Sequence, residues 1–354
     1  MENAGRSCRN QLSDTAVFRK RVEWLDVAKG MAMIFVVIGH CVDYGTPLRI
    51  FTYSFHMPMF YMLSGYTMRP PKDGADLWKS TKKDIKSIAL PCLVVAVLRI
   101  VLSMIKNGMG LAESLSMLGT RLLWASAYDA DRTYLGMLWF LVVLFWSKLL
   151  FRVLFLLWPT WKNGLIFAAV AFFGYQISKA EYIPETWNSG LPQSWDVCMV
   201  VAFLLYIGWA VHHFKEELRE LAMPVVFVCL YVWIACLRWG LYIELGTRKY
   251  SQFPMSLIEA CCGTAVMCFL AWFIARSRPA TAVLSAIGKN SLMIYIVHAL
   301  DSYVSFLYED CLLVPQILIR IAIVLAGGAA LVWIQKGWKK LITVFRERSG
   351  SRGN

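Results

Sequence analysis

Charge is what this chain has least of. Asp, Glu, Lys and Arg make up 17% of its 354 residues, against ~25% in ordinary soluble domains. That shortage excludes a water-soluble protein of ordinary surface. Short segments of alternating polarity are also missing, which excludes a transmembrane β-barrel. The ten cysteines follow no zinc-ligand spacing, and most lie inside apolar runs (Cys92, Cys229, Cys236, Cys268), where they act as small hydrophobes. The adjacent pair Cys261–Cys262 provides no disulfide framework, and no metal site is implied. No internal repeat is visible, which weighs against an inverted-repeat transporter. The first apolar run is too long for a signal-peptide core and lacks a small-residue cleavage site, so the first helix is expected to stay in the membrane.

What the chain does have is apolar length. It is 58% hydrophobic, with a mean hydropathy of +0.54. Stretches of about 20 apolar residues recur, each long enough to cross a bilayer core of ~30 Å. The expected fold is all-α, a polytopic membrane helical bundle of about ten transmembrane helices. The spans read as 25–43, 50–67, 87–105, 134–157, 163–178, 195–212, 222–243, 257–275, 285–306 and 313–335, with 111–124 as an interfacial helix. This divides the chain into a basic N-terminal segment 1–23, a membrane domain 24–336 and a basic tail 337–354.

The net charge of +13 would suit nucleic acid, but its distribution argues for topology instead. Arg19–Lys20–Arg21, Arg69 through Lys86, Arg152 with Lys162, Lys215 with Arg219, Arg276 with Arg278, and Lys336 to Arg352 fall in alternate connections. The intervening connections hold Asp129, Asp131, Glu181, Glu185, Glu309 and Asp310. The positive-inside bias then puts both termini in the cytoplasm, in a plasma membrane such as the bacterial inner membrane. Fifteen Trp and fifteen Tyr fit interfacial anchoring.

Against this hydrocarbon background, polar residues at membrane depth are the candidates for function. His40 lies near the far end of the first run, and Asp43 is three residues on. On a continuous helix the two would share a face, and a carboxylate beside an imidazole suits a general base. His56 lies in Phe55-His56-Met57-Pro58, where proline is expected to break the helix and open a lined pocket. Deeper in that span, Ser64 and Tyr66 flank Gly65, whose first use is close helix packing. Asp26 and Lys29, also three apart, stand at the other end of the first run, where an ion pair or a ligand contact would account for them equally. Lys79, Lys82, Lys83 and Lys86 precede the third span and suit either lipid headgroups or the phosphates of a cofactor. Asn290 and Ser291 are good helix-start residues, and His298 sits at mid-membrane. Arg99 and Arg320 either snorkel or line a cavity.

These segments together resemble the membrane-bound acyltransferase family 3, the O-acetyltransferase and fucose 4-O-acetylase-like proteins. The resemblance is carried by Arg21-Val22-Glu23-Trp24-Leu25-Asp26-Val27-Ala28-Lys29-Gly30 running on to Gly39-His40, and by Phe55-His56-Met57-Pro58-Met59-Phe60 with Leu63-Ser64-Gly65-Tyr66. Ala89-Leu90-Pro91, Leu138-Trp139-Phe140-Leu141 and Gly288-Lys289-Asn290-Ser291-Leu292 with Tyr295 and His298 follow in order. The resemblance implies a cytoplasmic acyl-CoA donor, acetyl-CoA above all, and transfer to a hydroxyl of a sugar or cell-surface glycan on the far side. It makes His40 the base; acyl transfer also needs oxyanion stabilisation, and His56 or Tyr66 is the expected donor that polarises the thioester carbonyl. The family's arginines before the third helix bind CoA phosphates; here Lys83 and Lys86 stand in their place, without the bidentate fork of arginine. The rival reading is a permease for a small polar solute such as an amino acid.

Overall fold

The computed structural model describes residues 22–127, 135–179 and 190–350. The basic cluster Arg19–Lys20–Arg21 and the acidic Asp129, Asp131, Glu181 and Glu185 lie outside the described residues. The chain is built almost wholly of helices: α1 (Glu23–Gly39), α2 (Pro47–Tyr53), α3 (His56–Thr67), α4 (Gly74–Asp84), α5 (Leu90–Asn107), α6 (Leu111–Trp124), α7 (Trp139–Leu157), α8 (Gly164–Ser178), α9 (Trp195–His213), α10 (Glu217–Arg238), α11 (Met255–Ile274), α12 (Arg278–Lys289), α13 (Ser291–His298) and α14 (Leu313–Gly350). A π-helical turn, Ile85–Ala89, joins α4 to α5. A two-residue antiparallel hairpin, β1 (Ile243–Glu244) and β2 (Lys249–Tyr250), precedes α11.

Large apolar side chains stand open on the outside of the bundle, among them Leu165, Phe173, Phe227, Val228 and Leu318. Such a surface is untenable in water and is what a helix presents to lipid. Six helical stretches among the described residues are long and apolar enough to cross a membrane, or seven if the bent pair α12–α13 counts as one. That is fewer continuous spans than the ten expected. Helices do occupy all ten segments, but α1 has 17 residues, α8 has 15, and two of the segments are broken. One break falls between α2 and α3; the other bends α13 by 65° from α12.

Local sequence explains where α2 begins: Thr46 caps it by accepting from the backbone N–H of Arg49, with Pro47 in the first turn. The break expected in Phe55-His56-Met57-Pro58 occurs at the start of that segment, not at the proline itself. Pro58 lies in the first turn of α3, where a missing N–H leaves no bond unmade. The break sits just before it, at Ser54–Phe55.

Two close crossings set the core. A Cβ on Gly30 would run into the carbonyl oxygen of Leu284, and one on Gly288 into that of Asp26, so α1 and α12 touch backbone to backbone. Gly65 and Gly208 do the same for α3 and α9, against the carbonyl oxygens of Leu205 and Met62. Small residues permit this approach where lipid supplies no hydrophobic drive between helices. Buried ion pairs fasten the rest. Asp84 binds Lys148 at 2.7 Å and Arg152 at 2.5 Å, tying α4 to α7. The hairpin is held by Arg49–Glu244 at 3.0 Å and by Arg248–Asp196 at 2.6 Å.

Candidate active site

Two cavities lie along α1, on either side of a common wall. The larger, about 600 Å³, is lined by His40, Asp43, His56, Arg49 and the hairpin from Ile243 to Lys249. The smaller, about 220 Å³, is lined by Lys29, Phe60, Ser64, Thr67, Phe140 and Ser291. Tyr295 borders both. Lys29 and His40 are eleven residues apart, roughly 16 Å along a helix at 1.5 Å per residue.

His40 is the first residue past the last turn of α1, and its ring is open to the large cavity. Its backbone is fixed from a distant helix: Arg320 of α14 donates to the His40 carbonyl at 2.8 Å. The same guanidinium grips Asp301 with two hydrogen bonds, at 2.7 and 3.1 Å. Asp301 in turn accepts from Nδ1 of His298 at 2.9 Å, and the His298 ring stands 5.2 Å from that of His40, centre to centre. His298, Asp301 and Arg320 are all buried.

The proton positions follow from the partners. A carboxylate only accepts, so Nδ1 of His298 carries hydrogen and the neutral ring keeps its lone pair on Nε2. That nitrogen is buried without a hydrogen-bond partner among the described residues. Nδ1 of His56 likewise donates to the Thr52 carbonyl, at 2.5 Å. In its neutral form His56 therefore offers the cavity an acceptor, not the donor that a polarised thioester oxygen needs.

The other residues singled out in the sequence divide between the two ends. His40, Asp43 and His56 come together in one cavity, and Lys29, Ser64 and Ser291 in the other. His40 and Asp43 do not share a helix face, because α1 stops at Gly39 and Asp43 lies in the turn beyond it. Asp26 is buried at the α1–α12 crossing. Tyr66 borders neither cavity; its ring packs edge-on against Trp24 at 5.5 Å and against His212 at 4.6 Å. Asn290 donates to the Ala286 carbonyl at 2.8 Å, next to Ser291. Lys82, Lys83 and Lys86 are exposed, with Lys82 lying over Trp78. None of the three lines the Lys29 cavity; Lys86 lies in the π turn, whose Ile88 forms part of its wall, and Lys82 and Lys83 lie in α4 just before that turn.

Sequence reasoning missed Asp301 and left Arg320 undecided. A signal was present: His298 and Asp301 repeat the spacing of His40 and Asp43, and only the second pair closes. The Arg49–Glu244 and Arg248–Asp196 pairs carried none, since each joins residues about 200 or 50 positions apart.

The family model of the acyltransferase 3 domain, described as "Acyltransferase domain", matches residues 22–334. A nodulation protein, NolL of Mesorhizobium japonicum, is 26% identical over 300 residues, covering 77% of this chain and 74% of its own. The family match takes in both cavities and the helices that carry His40 and His298, and the chain belongs to the membrane-bound acyltransferase family 3.

Proposed function

We propose that this acyltransferase-family membrane protein is an O-acyltransferase, and specifically an O-acetyltransferase of a plasma membrane. It takes its acyl group from cytoplasmic acyl-CoA and gives it to a hydroxyl of a sugar or cell-surface glycan. The observation that carries the reading is the pair of cavities on α1. A solvent-open histidine, backed by a buried His–Asp–Arg network, stands in one, and a lysine stands in the other.

In this reading the CoA phosphates bind at the Lys29 end, among Lys82, Lys83 and Lys86, as point-charge contacts. The acceptor occupies the large cavity. A ring nitrogen of His40 takes the proton of the acceptor hydroxyl while that oxygen attacks the thioester carbonyl. The C–S bond breaks, the acyl group leaves as an ester, and the proton passes from the imidazolium to the departing CoA thiolate. Such base catalysis is worth about 10²–10⁴-fold. Arg320 fixes the backbone of His40, so the ring need not search for its place.

Membranes carrying the full chain should move labelled acetyl from acetyl-CoA to candidate glycans, and His40→Ala should abolish the transfer while leaving the protein folded. Turnover unchanged in that variant would remove His40 as the base. Uptake of a small solute by proteoliposomes without any acyl-CoA would replace the enzyme reading with a permease.

A further inference from the structure

The two cavities meet at one side chain. Tyr295 of α13 is buried, yet it borders the His40 cavity and the Lys29 cavity alike. Its hydroxyl donates to the carbonyl of Met137, and Met137 is itself part of the larger cavity's wall. Its ring lies 5.3 Å from Phe140, which borders the smaller cavity. Phe140 in turn packs on Tyr61 at 4.9 Å and Phe60 at 5.9 Å. The partition is therefore a latched phenol seated on an aromatic stack. On the proposed reaction, an acyl group passing between the two cavities meets this ring, the residue that their linings share.

We infer that Tyr295 is a specificity-determining residue: a gate that sets the longest acyl group able to reach His40. The inference rests on the acyl-transfer reading above and goes beyond it by naming what selects the acyl group. The physical basis is volume. The cavity on the donor side holds about 220 Å³ against about 600 Å³ on the acceptor side, so the narrow side and its wall discriminate by chain length. An apolar site of fixed size distinguishes chains differing by one methylene about 10–200-fold. Tyr295 is suited to the task because a hydrogen bond to the Met137 carbonyl, in the larger cavity's wall, holds its ring between the two cavities.

The test is transfer by the full chain in membranes from acetyl-, butyryl- and hexanoyl-CoA, with kcat/KM ratios compared. Wild type should favour the acetyl donor. Tyr295→Phe keeps the ring and loses the latch, so relative use of hexanoyl-CoA should rise. Tyr295→Ala should raise it further, by about tenfold or more over wild type. Phe140→Ala opens the partition from its other face and should act in the same direction. The chain-length ranking of wild type retained in every active variant overturns the gate while leaving acyl transfer standing. Absence of acetyl transfer by wild type overturns both readings at once.

Discussion

At the His40 end of α1, charge is buried and matched. Asp301 is held by Arg320 and His298, Glu244 by Arg49, and Asp196 by Arg248. At the Lys29 end the buried pairs of Asp84 with Lys148 and Arg152 tie helix to helix, while Lys79, Lys82, Lys83 and Lys86 stand exposed, and α1 and α12 touch through the backbones at Gly30 and Gly288. Buried ion pairs hold side chains in one geometry and add little net stability, because desolvation offsets their attraction. Exposed lysines keep their rotamer freedom and follow a mobile, multiply charged ligand. The difference assigns fixed geometry to one end and adaptable binding to the other, as transfer between a large donor and a reacting hydroxyl requires.

The most severe way to break the comparison is at the fixed end. His40→Ala should lower turnover about 10²–10⁴-fold, with unfolding temperature and donor binding little altered, since the ring makes no hydrogen bond among the described residues. Asp301→Ala acts differently. It leaves a buried guanidinium and a buried imidazole without their shared acceptor, and loss of one partner from such a network costs about 3–5 kcal/mol. Thermal unfolding of the purified protein in detergent should show that loss, together with a fall in activity. An Asp301→Ala protein as stable as wild type would mean that the network is not what fixes this end.

Much of the fold was legible because hydrophobic length is a local signal. Each apolar run became a helix, and the glycine of Ser64-Gly65-Tyr66 is the close-packing point that small residues in membranes imply. The limits were equally physical. Continuous apolar composition hides a helix break, so the α12–α13 bend could not be seen in hydropathy, and the break at Ser54–Phe55 was signalled only by the nearby proline. A spacing of three is informative only while the helix lasts. It holds for His298 and Asp301, where the chain passes from α13 into a short 3₁₀ turn at Asp301–Leu307 that keeps the pair together. For His40 and Asp43 it fails, because the helix ends between them. Arg320 was visible as a charge in an apolar run, but its target lies 280 residues away, at the His40 carbonyl, and no spacing reveals that.

The adaptable end should respond more mildly. Lys82→Ala, Lys83→Ala and Lys86→Ala should each raise the KM for acyl-CoA a few-fold with kcat nearly unchanged, the pattern of lost binding shared by ground and transition states. The effect should shrink as salt is raised, because exposed charges are screened. A large kcat loss from any one lysine would contradict the division between the ends.

The smallest effect separates the two His–Asp spacings. Asp43 is exposed in the turn after α1, and its carboxylate makes no hydrogen bond or ion pair among the described residues. Asp43→Asn should therefore change kcat/KM by less than about threefold, within the range of an exposed charge. Asp301→Asn, which keeps the shape and removes the charge that a buried guanidinium and a buried imidazole both donate to, should lose far more. If the Asp43→Asn protein instead falls as far as the His40→Ala variant, Asp43 reaches His40 during turnover. The working dyad would then be the pair across the turn and not the network around Arg320.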